Sequence, residues 1–139
     1  MDMHTLEAYY SRHTPTLQDA SGEYAVLIPL LQKADGLHLL YEVRASSLHH
    51  HRNEVCFPGG RMEPGETPSV CALRETWEEL GIPPQRVQVF GEADFLHLRS
   101  EGLMRPVVGL LPPLSMANLI LNPLEVSRVF TVPVGWLIA

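Results

Sequence analysis

Hydrophobic positions cluster in short runs separated by turn residues, a pattern typical of β-strands. Apolar side chains dominate residues 24–31 and 37–44, and the intervening Lys33-Ala34-Asp35-Gly36 favours a tight connection. These two runs predict a β-hairpin. A third short strand is expected at residues 55–57, where Pro58-Gly59-Gly60 stops it. Later strands are expected at residues 85–90, 104–111 and 128–134.

One segment instead has the period of an amphipathic helix. Thr67 is a favourable N-cap, Pro68 suits the first turn, and Gly81 suits the C-terminal end. The predicted packing face of this helix consists of Val70, Leu73, Thr76, Trp77 and Leu80. Because strands surround one strong helix, the chain is predicted to adopt an α/β or α+β fold with a mixed sheet.

The chain length predicts a single folded domain. Its 139 residues leave no room for a second full core. Residues 1–23 are more polar and predict an N-terminal extension with a short helix at residues 5–11. The domain is therefore expected to span residues 24–139.

The charge balance narrows the classes of partner. Ten Lys and Arg against sixteen Asp and Glu give a net charge of −6, which argues against a general nucleic-acid binder. The first residues have no secretory signal pattern, and no apolar run reaches the ~20 residues that a membrane span needs. Cys56 and Cys71 form no metal-binding spacing and are expected to be reduced thiols. We therefore expect a cytoplasmic protein with no membrane partner.

Three acids on the predicted helix raise the question of a metal site. Glu75, Glu78 and Glu79 fall within about one turn, where like charges destabilise a helix by ~0.2–0.5 kcal/mol per pair. They also lie near the helix C-terminus, the unfavourable end for negative charge. Carboxylates near a glycine turn are hard-oxygen ligands suited to Mg²⁺ or Mn²⁺. A solvated acidic face remains equally compatible with these residues alone.

The spacing of residues 60–82 resembles the Nudix box. Gly60 is followed after five residues by Glu66, and after seven more by Arg74-Glu75-Thr76-Trp77-Glu78-Glu79-Leu80-Gly81-Ile82. Every fixed position of that pattern is filled, and Thr76 stands where an aliphatic residue is usual. A match of this length is far more specific than a lone glycine motif.

The Nudix resemblance implies a fold, an activity and roles for the acids. It implies a mixed β-sheet sandwiched between helices, with hydrolysis of a nucleoside diphosphate linked to another group. In the family, the glutamates that match Glu75, Glu78 and Glu79 hold the divalent cations, so these residues are the expected catalytic set. The glutamate that matches Glu75 also serves in some members as the base for the attacking water.

The resemblance also implies supporting roles for other residues of the box. A backbone carbonyl near Gly59 or Gly60 commonly joins the metal shell, and Gly60 is the expected contributor here. The residues that match Glu66 and Arg74 more often brace the geometry between loop and helix. Gly59 and Gly81 are expected to support the same geometry.

The segment before the box resembles the coenzyme A diphosphatase branch of the Nudix family. Arg44-Ala45 and the Phe57-Pro58-Gly59-Gly60 end keep the residues and spacing of that signature. Three positions depart from it: His49 replaces an Arg, Asn53 a Gly, and Glu42 a Thr. Asn53 can adopt the left-handed turn that the glycine would take.

This resemblance makes coenzyme A or its derivatives the leading substrate. Arg44, His49 and Arg61 are the candidate phosphate-binding residues, and a histidine offers fewer donors than the arginine it replaces. ADP-ribose, dinucleoside polyphosphates and nucleoside triphosphates remain alternatives. A nucleotide-binding regulator without catalysis is a further alternative, although the intact acid set argues against it.

Several features are left open by the sequence. The run His49-His50-His51 fits an exposed polar loop better than a soft-metal site. Glu125 can supply another carboxylate, but a structural or surface role is the commoner one for a residue at such a position. The Nudix-like chain is expected to be shortened at its C-terminus, and its apolar end leaves a homodimer open.

Overall fold

The structure, a computed structural model, describes residues 2–12, 22–98 and 102–138. A mixed sheet dominates it, as the strand pattern predicted. Its strands are β1 (Glu23–Lys33), β2 (Gly36–Arg44), β3 (Val55–Cys56), β4 (Gly59–Arg61), β5 (Gln88–Glu92), β6 (Leu96–Leu98), β7 (Gly102–Leu110) and β8 (Val126–Pro133). The helices are α1 (Met3–Arg12), α2 (Pro68–Leu80) and α3 (Val134–Ile138), and short 3₁₀ turns occupy Pro84–Arg86 and Met116–Asn118.

The sheet has the order β3-β2-β1-β7-β5. Strands β1 and β7 are parallel, whereas β1 and β2 form the predicted antiparallel hairpin, with Leu30 opposite Leu39. Strands β4, β6 and β8 pair with β1, β7 and β2 respectively. This mixture of parallel and antiparallel pairs confirms the predicted fold class.

Helix α2 lies against β1, β4 and β7. Strand β1 alternates, so that Ala25, Leu27 and Leu31 are buried in the core with Leu80 of α2. This packing of α2 on the sheet places the C-terminal end of the helix close to β4 and to the loop before β8. Those three segments carry the candidate site.

The predicted elements are confirmed except at some boundaries and three short elements. The run at residues 85–90 divides into a 3₁₀ turn and β5. The glycines expected to stop the third strand form strand β4, and β6 and α3 were not predicted. Within the described ranges, no helix has the length and apolar character needed to cross a membrane.

Candidate metal and substrate site

Helix α2 begins and ends at the predicted residues. The Thr67 side-chain oxygen accepts a hydrogen bond from the Val70 N–H at 3.2 Å, which satisfies one of the free donors of the first turn. At the other end, Gly81 has a φ of +75°, and its N–H donates to the Trp77 carbonyl at 2.9 Å. Local sequence alone is therefore sufficient to define this helix.

The buried face of α2 differs from the predicted one. Cys71, Ala72 and Thr76 are fully buried, whereas Val70 and Trp77 are each 54% exposed, so the placement of Trp77 in the core was wrong. Small side chains face the sheet because β1 and β4 lie directly against α2. Thr76 is compatible with this interior since its hydroxyl donates to the Ala72 carbonyl at 2.7 Å.

The same rotation of the helix buries one of the acids. Glu79 is only 3% exposed, although the helical pattern placed it on the solvated face with Glu78. Its Oε2 accepts a hydrogen bond from the Gly59 N–H at 3.0 Å. Glu79 is therefore a buried carboxylate aimed at the glycine strand β4.

Three carboxylates converge at this position. Oxygen atoms of Glu75, Glu79 and Glu125 all lie within 4.8 Å of one another. Glu78, predicted as a metal ligand, is outside this group; its side chain is 49% exposed and lies 3.3 Å from the Arg74 guanidinium. Among the described residues, the convergent set therefore contains Glu125 and not Glu78, whose role as a metal ligand stays a prediction.

Glu125 reaches the cluster because its loop is tied to two elements. The Asn122 N–H donates to the Glu79 carbonyl at 3.0 Å, at the C-terminal end of α2. The Glu125 carbonyl accepts from the Ala45 N–H at 2.9 Å, just beyond β2. A single acid in a loop before the last strand is a weak sequence signal, which is why its role was left open.

Strand β4 allows the backbone to approach the acids closely. A Cβ atom at Gly60 would lie 2.5 Å from Oε1 of Glu75, so a larger residue would displace this carboxylate. The Gly60 carbonyl lies 3.5 Å from the Cys71 thiol. Its expected contribution to a metal shell stays a prediction.

Arg74 braces the loop against the helix. Its Nε and Nη2 atoms donate to the two oxygens of Glu66 at 2.8 and 3.0 Å, and its Nη1 lies 3.1 Å from Glu75. Hydrogen bonding to Arg74 lowers the pKa of Glu66 to about 2. Nη2 of Arg74 also donates to the Arg61 carbonyl at 3.3 Å, and this hydrogen bond connects β4 to α2. The bracing role that the resemblance implied stays a prediction, which these contacts support.

Burial raises the pKa values of the two acids near β4, Glu75 and Glu79. Loss of solvent raises the pKa of Glu75, and the charges of Glu78 and Glu125 add to this effect while Arg74 opposes it. Burial also raises the pKa of Glu79, with the neighbouring Glu42 as the next cause. Buried like charges in contact favour a bound cation that compensates them.

In the sequence, Glu42 stands out only as a departure from the signature of the resembled branch. It lies on β2, is 1% exposed, and its carboxyl group interacts with that of Glu79. Burial is the main cause of its raised pKa. Its replacement of a Thr was the only signal available in the sequence.

A cavity of about 810 Å³ lies next to the acids. Its wall contains Gly59 and Gly60, the residues that contact Glu79 and Glu75. The remaining lining residues are Tyr24, Val26, Arg44, His50, His51, Glu54, Cys56, Phe57 and Met104. Apolar walls with a few polar groups are typical of small-molecule sites, for which this volume is ordinary.

Of the predicted phosphate-binding residues, only Arg44 lines this cavity. Its Nε is buried without a hydrogen-bond partner among the described residues. His49 and Arg61 are exposed and lie outside the lining, whereas His50 and His51 belong to it. Between β2 and β3, Asn53 adopts the predicted left-handed conformation with a φ of +60°, and His51 has a φ of +55°.

The residues present fit a divalent cation. The convergent donors are carboxylate oxygens, which Mg²⁺ and Mn²⁺ prefer over softer ligands. One of them, Glu79, is buried beside the further carboxyl group of Glu42, where an uncompensated charge is costly. The arrangement can therefore hold a divalent cation next to a cavity of ligand size.

Comparison with known proteins supports the resemblance of residues 60–82 to the Nudix box. A family model described as the NUDIX domain matches residues 23–130. Nudix hydrolase 3 of Caenorhabditis elegans is 40% identical over 122 residues, covering 86% of this chain and 51% of that protein. The peroxisomal coenzyme A diphosphatase NUDT7 of Mus musculus is 37% identical over 118 residues, covering 84% and 49%. The chain thus spans about half the length of these curated relatives.

The fold is shared with solved structures at lower identity. The crystal structure of a C. elegans Ap4A hydrolase binary complex superposes with a TM-score of 0.67 and 18% identity. The match covers 81% of this chain and 80% of that one. At this identity, the likeness concerns the fold alone.

Proposed function

Because the chain belongs to the Nudix family, we propose that it is a divalent-cation-dependent hydrolase of the pyrophosphate bond in nucleoside diphosphate derivatives, with coenzyme A or its derivatives as substrate. The observation that carries this proposal is the convergence of Glu75, Glu79 and Glu125 beside the cavity. The glycine strand β4 is the wall between the two. A pyrophosphate in the cavity would therefore lie against β4, the strand whose glycines contact Glu75 and Glu79.

The chemistry requires an activated water and neutralised phosphate oxygens. When bound, Mg²⁺ or Mn²⁺ supplies charge neutralisation and lowers the pKa of a coordinated water. Glu75, Glu79 and Glu125 hold the cation, and Glu78 stays a predicted ligand from the sequence. The water oxygen would form a bond to one phosphorus as its proton passes to Glu75, the candidate base, and the bond from that phosphorus to the bridging oxygen would break, leaving the electron pair on the oxygen of the departing phosphate. Two phosphate monoesters result.

Glu75 is the candidate base for the attacking water. It is half-buried, and its Oε1 lies 3.1 Å from Arg74, which limits the orientations of the carboxylate. Gly60 contacts the same carboxylate from β4. Both contacts orient Glu75 toward the cluster while Arg74 remains paired with Glu66.

Arg44 is the candidate phosphate ligand of the substrate. Its unpaired Nε lies at the cavity wall, and a guanidinium can bind phosphate through two hydrogen bonds. His50 and His51 replace His49 as the candidates for a further phosphate contact, since they line the cavity. Phe57, Tyr24 and Met104 offer an apolar surface for the rest of the substrate.

Two observations favour coenzyme A among the nucleotide substrates. The first is the Arg44-Ala45 and Phe57–Gly60 signature, whose altered loop still forms a left-handed turn at Asn53. The second is the identity to curated coenzyme A diphosphatases. The cytoplasmic location, the homodimer and the division of the chain at residue 24 stay predictions.

The test is a substrate panel with identified products. Coenzyme A, ADP-ribose, Ap4A and nucleoside triphosphates are incubated with Mg²⁺ or Mn²⁺ and separated by chromatography with mass detection. We expect 4′-phosphopantetheine and adenosine 3′,5′-bisphosphate from coenzyme A. Glu79→Gln is expected to reduce turnover by about 100-fold or more, whereas Glu92→Gln, an exposed site on β5, retains it.

The other outcomes are informative in different ways. Pyrophosphate release from nucleoside triphosphates with coenzyme A untouched would overturn the substrate. Nucleotide binding without turnover of any substrate would favour the regulator. Unchanged turnover in Glu79→Gln would remove the acid cluster from the mechanism.

A further inference from the structure

Glu42 occupies an unusual position for a glutamate. It lies in the middle of the sheet on β2, opposite Cys56 of β3 and Val129 of β8. Its side chain is almost completely buried, with 1% exposure. Burial of a carboxylate without a partner is strongly unfavourable, so such residues are normally paired with a cation.

The contacts of Glu42 do not provide that partner. Its Oε1 lies 3.8 Å from the Cys56 thiol, a weak donor. Its Oε2 is buried without any hydrogen-bond donor among the described residues. Its carboxyl neighbour is Glu79, and Glu125 is close enough to act on it electrostatically. Glu42 is thus a buried acid whose polar contacts are the Cys56 thiol and the carboxyl group of Glu79, and it lies next to the convergent group without belonging to it.

A purely structural role explains these contacts poorly. A threonine, the residue of the resembled branch at this position, would be smaller and uncharged. An ionised glutamate here would place negative charge beside Glu79, which is unfavourable without a compensating positive charge. Arg44 contributes some, but its guanidinium lies at the cavity wall.

We propose that Glu42 is a positioning residue beside the cation centre, which strengthens divalent-cation binding by Glu75, Glu79 and Glu125 through its contact with Glu79. This inference rests on the proposed function, since it assumes that the three convergent acids hold a cation. It assigns to Glu42 a role that the Nudix box does not contain, because the residue lies on β2, well before the box. It also predicts that the departure from Thr changes cation affinity.

The experiment measures Mn²⁺ binding without substrate. Free Mn²⁺ is followed by electron paramagnetic resonance during titration of the metal-free chain. The variants are Glu42→Gln, which keeps the shape, and Glu42→Thr. Both are expected to raise the Kd for Mn²⁺ about ten-fold or more. Glu92→Gln is the matched control, since it removes the same charge from an exposed site and should retain the wild-type Kd.

Thermal unfolding separates this role from a structural one. Without Mn²⁺, Glu42→Gln is expected to keep or raise the Tm because it removes a buried negative charge. The increase in Tm on adding Mn²⁺ should be smaller than in the wild type, since binding is weaker. Equal losses of Tm with and without Mn²⁺ would identify a structural residue and overturn the proposal.

The controls distinguish this proposal from the one on which it rests. A wild-type chain that binds Mn²⁺ and hydrolyses its substrate, with an unchanged Kd in both Glu42 variants, would refute the role of Glu42 alone. A wild-type chain that neither binds Mn²⁺ nor hydrolyses any pyrophosphate would refute the proposed function as well. If Glu42→Gln does not unfold cooperatively, the Glu42→Thr titration decides.

Discussion

At the scale of single residues, Arg74 organises the charges of the candidate site. One guanidinium contacts Glu66 with two nitrogens and also reaches Glu75 and Glu78. Such a fork is a property of arginine, and lysine could not reproduce it. Arg74 thereby lowers the pKa of Glu66, whereas burial raises the pKa of Glu75 and of Glu79 near β4.

The Glu66–Arg74 pair predicts a specific pH dependence of stability. Because Arg74 lowers the pKa of Glu66 to about 2, the pair stabilises the fold fully above the usual glutamate pKa. This stabilisation is lost as the pH falls from about 4.5 towards 2. Glu66→Gln should reduce the free energy of unfolding by about 2 kcal/mol at pH 6. Urea denaturation of both proteins should show this difference shrinking below pH 4.5, and a difference independent of pH would contradict the assignment.

At the scale of elements, the C-terminal end of α2 holds the loop that carries Glu125. Gly81 ends the helix, and the loop that carries Glu125 binds there through the N–H groups of Ile120 and Asn122. The carbonyls that accept these bonds belong to Leu80 and Glu79 and would otherwise lack partners. The end of the helix therefore places a carboxylate from a distant loop.

Substitution of Gly81 should accordingly affect both stability and metal binding. In Gly81→Ala, the new Cβ would lie 2.7 Å from Ile120 at a φ of +75°, so we expect a loss of about 2–3 kcal/mol. The displaced loop should also weaken Mn²⁺ binding. Gly65→Ala is the control, since Gly65 has a φ of +84° but nothing within 4 Å of a new Cβ. It should lose about 1 kcal/mol with Mn²⁺ binding unchanged; equal effects on binding would disprove the link.

At the scale of the whole molecule, an acidic chain has a site for an acidic substrate. The net charge of −6 would repel a pyrophosphate, and the convergent carboxylates would do so most strongly. A divalent cation reverses the local sign, and Arg44 adds positive charge at the cavity wall. The negative net charge therefore argues against nucleic acid as a partner, but it does not argue against a metal-bound phosphate ester as a substrate.

The convergent acids of the structure include Glu125, whereas the acids predicted from the sequence include Glu78. Substitutions at these two positions test which of them binds the cation. Glu125→Gln should lower kcat/KM and weaken Mn²⁺ binding by about ten-fold or more, because Glu125 shares the convergent site. Glu78→Gln should have a smaller effect on Mn²⁺ binding, since Glu78 is exposed and paired with Arg74. Leu124→Ala, at an exposed neighbour, serves as the control. A larger effect for Glu78→Gln would support the sequence-based assignment of Glu78 as a metal ligand over the assignment of Glu125.

Long elements with a clear period could be predicted from the sequence, and short ones could not. The hairpin β1–β2 and helix α2 follow from apolar runs, a cap and a terminal glycine, which are local signals. Strand β4 has two glycines, which locally favour a turn; it forms because Ala25 and Val26 of β1 supply the pairing partners. The buried side of α2 was predicted only in part: Thr76 and Leu80 are buried as expected, whereas Cys71, Ala72 and Glu79 are buried and Trp77 is exposed.

The sequence by itself determined the family, the fold class and the acids of the box, since these depend on residue types at fixed spacing. The tertiary structure decided which acids meet. Glu125 joins Glu75 and Glu79 because its loop is bound to both α2 and the end of β2. Glu42 lies beside Glu79 because α2 packs with Glu79 toward the sheet. Contacts between residues distant in sequence arise from packing, and no local pattern contains that information.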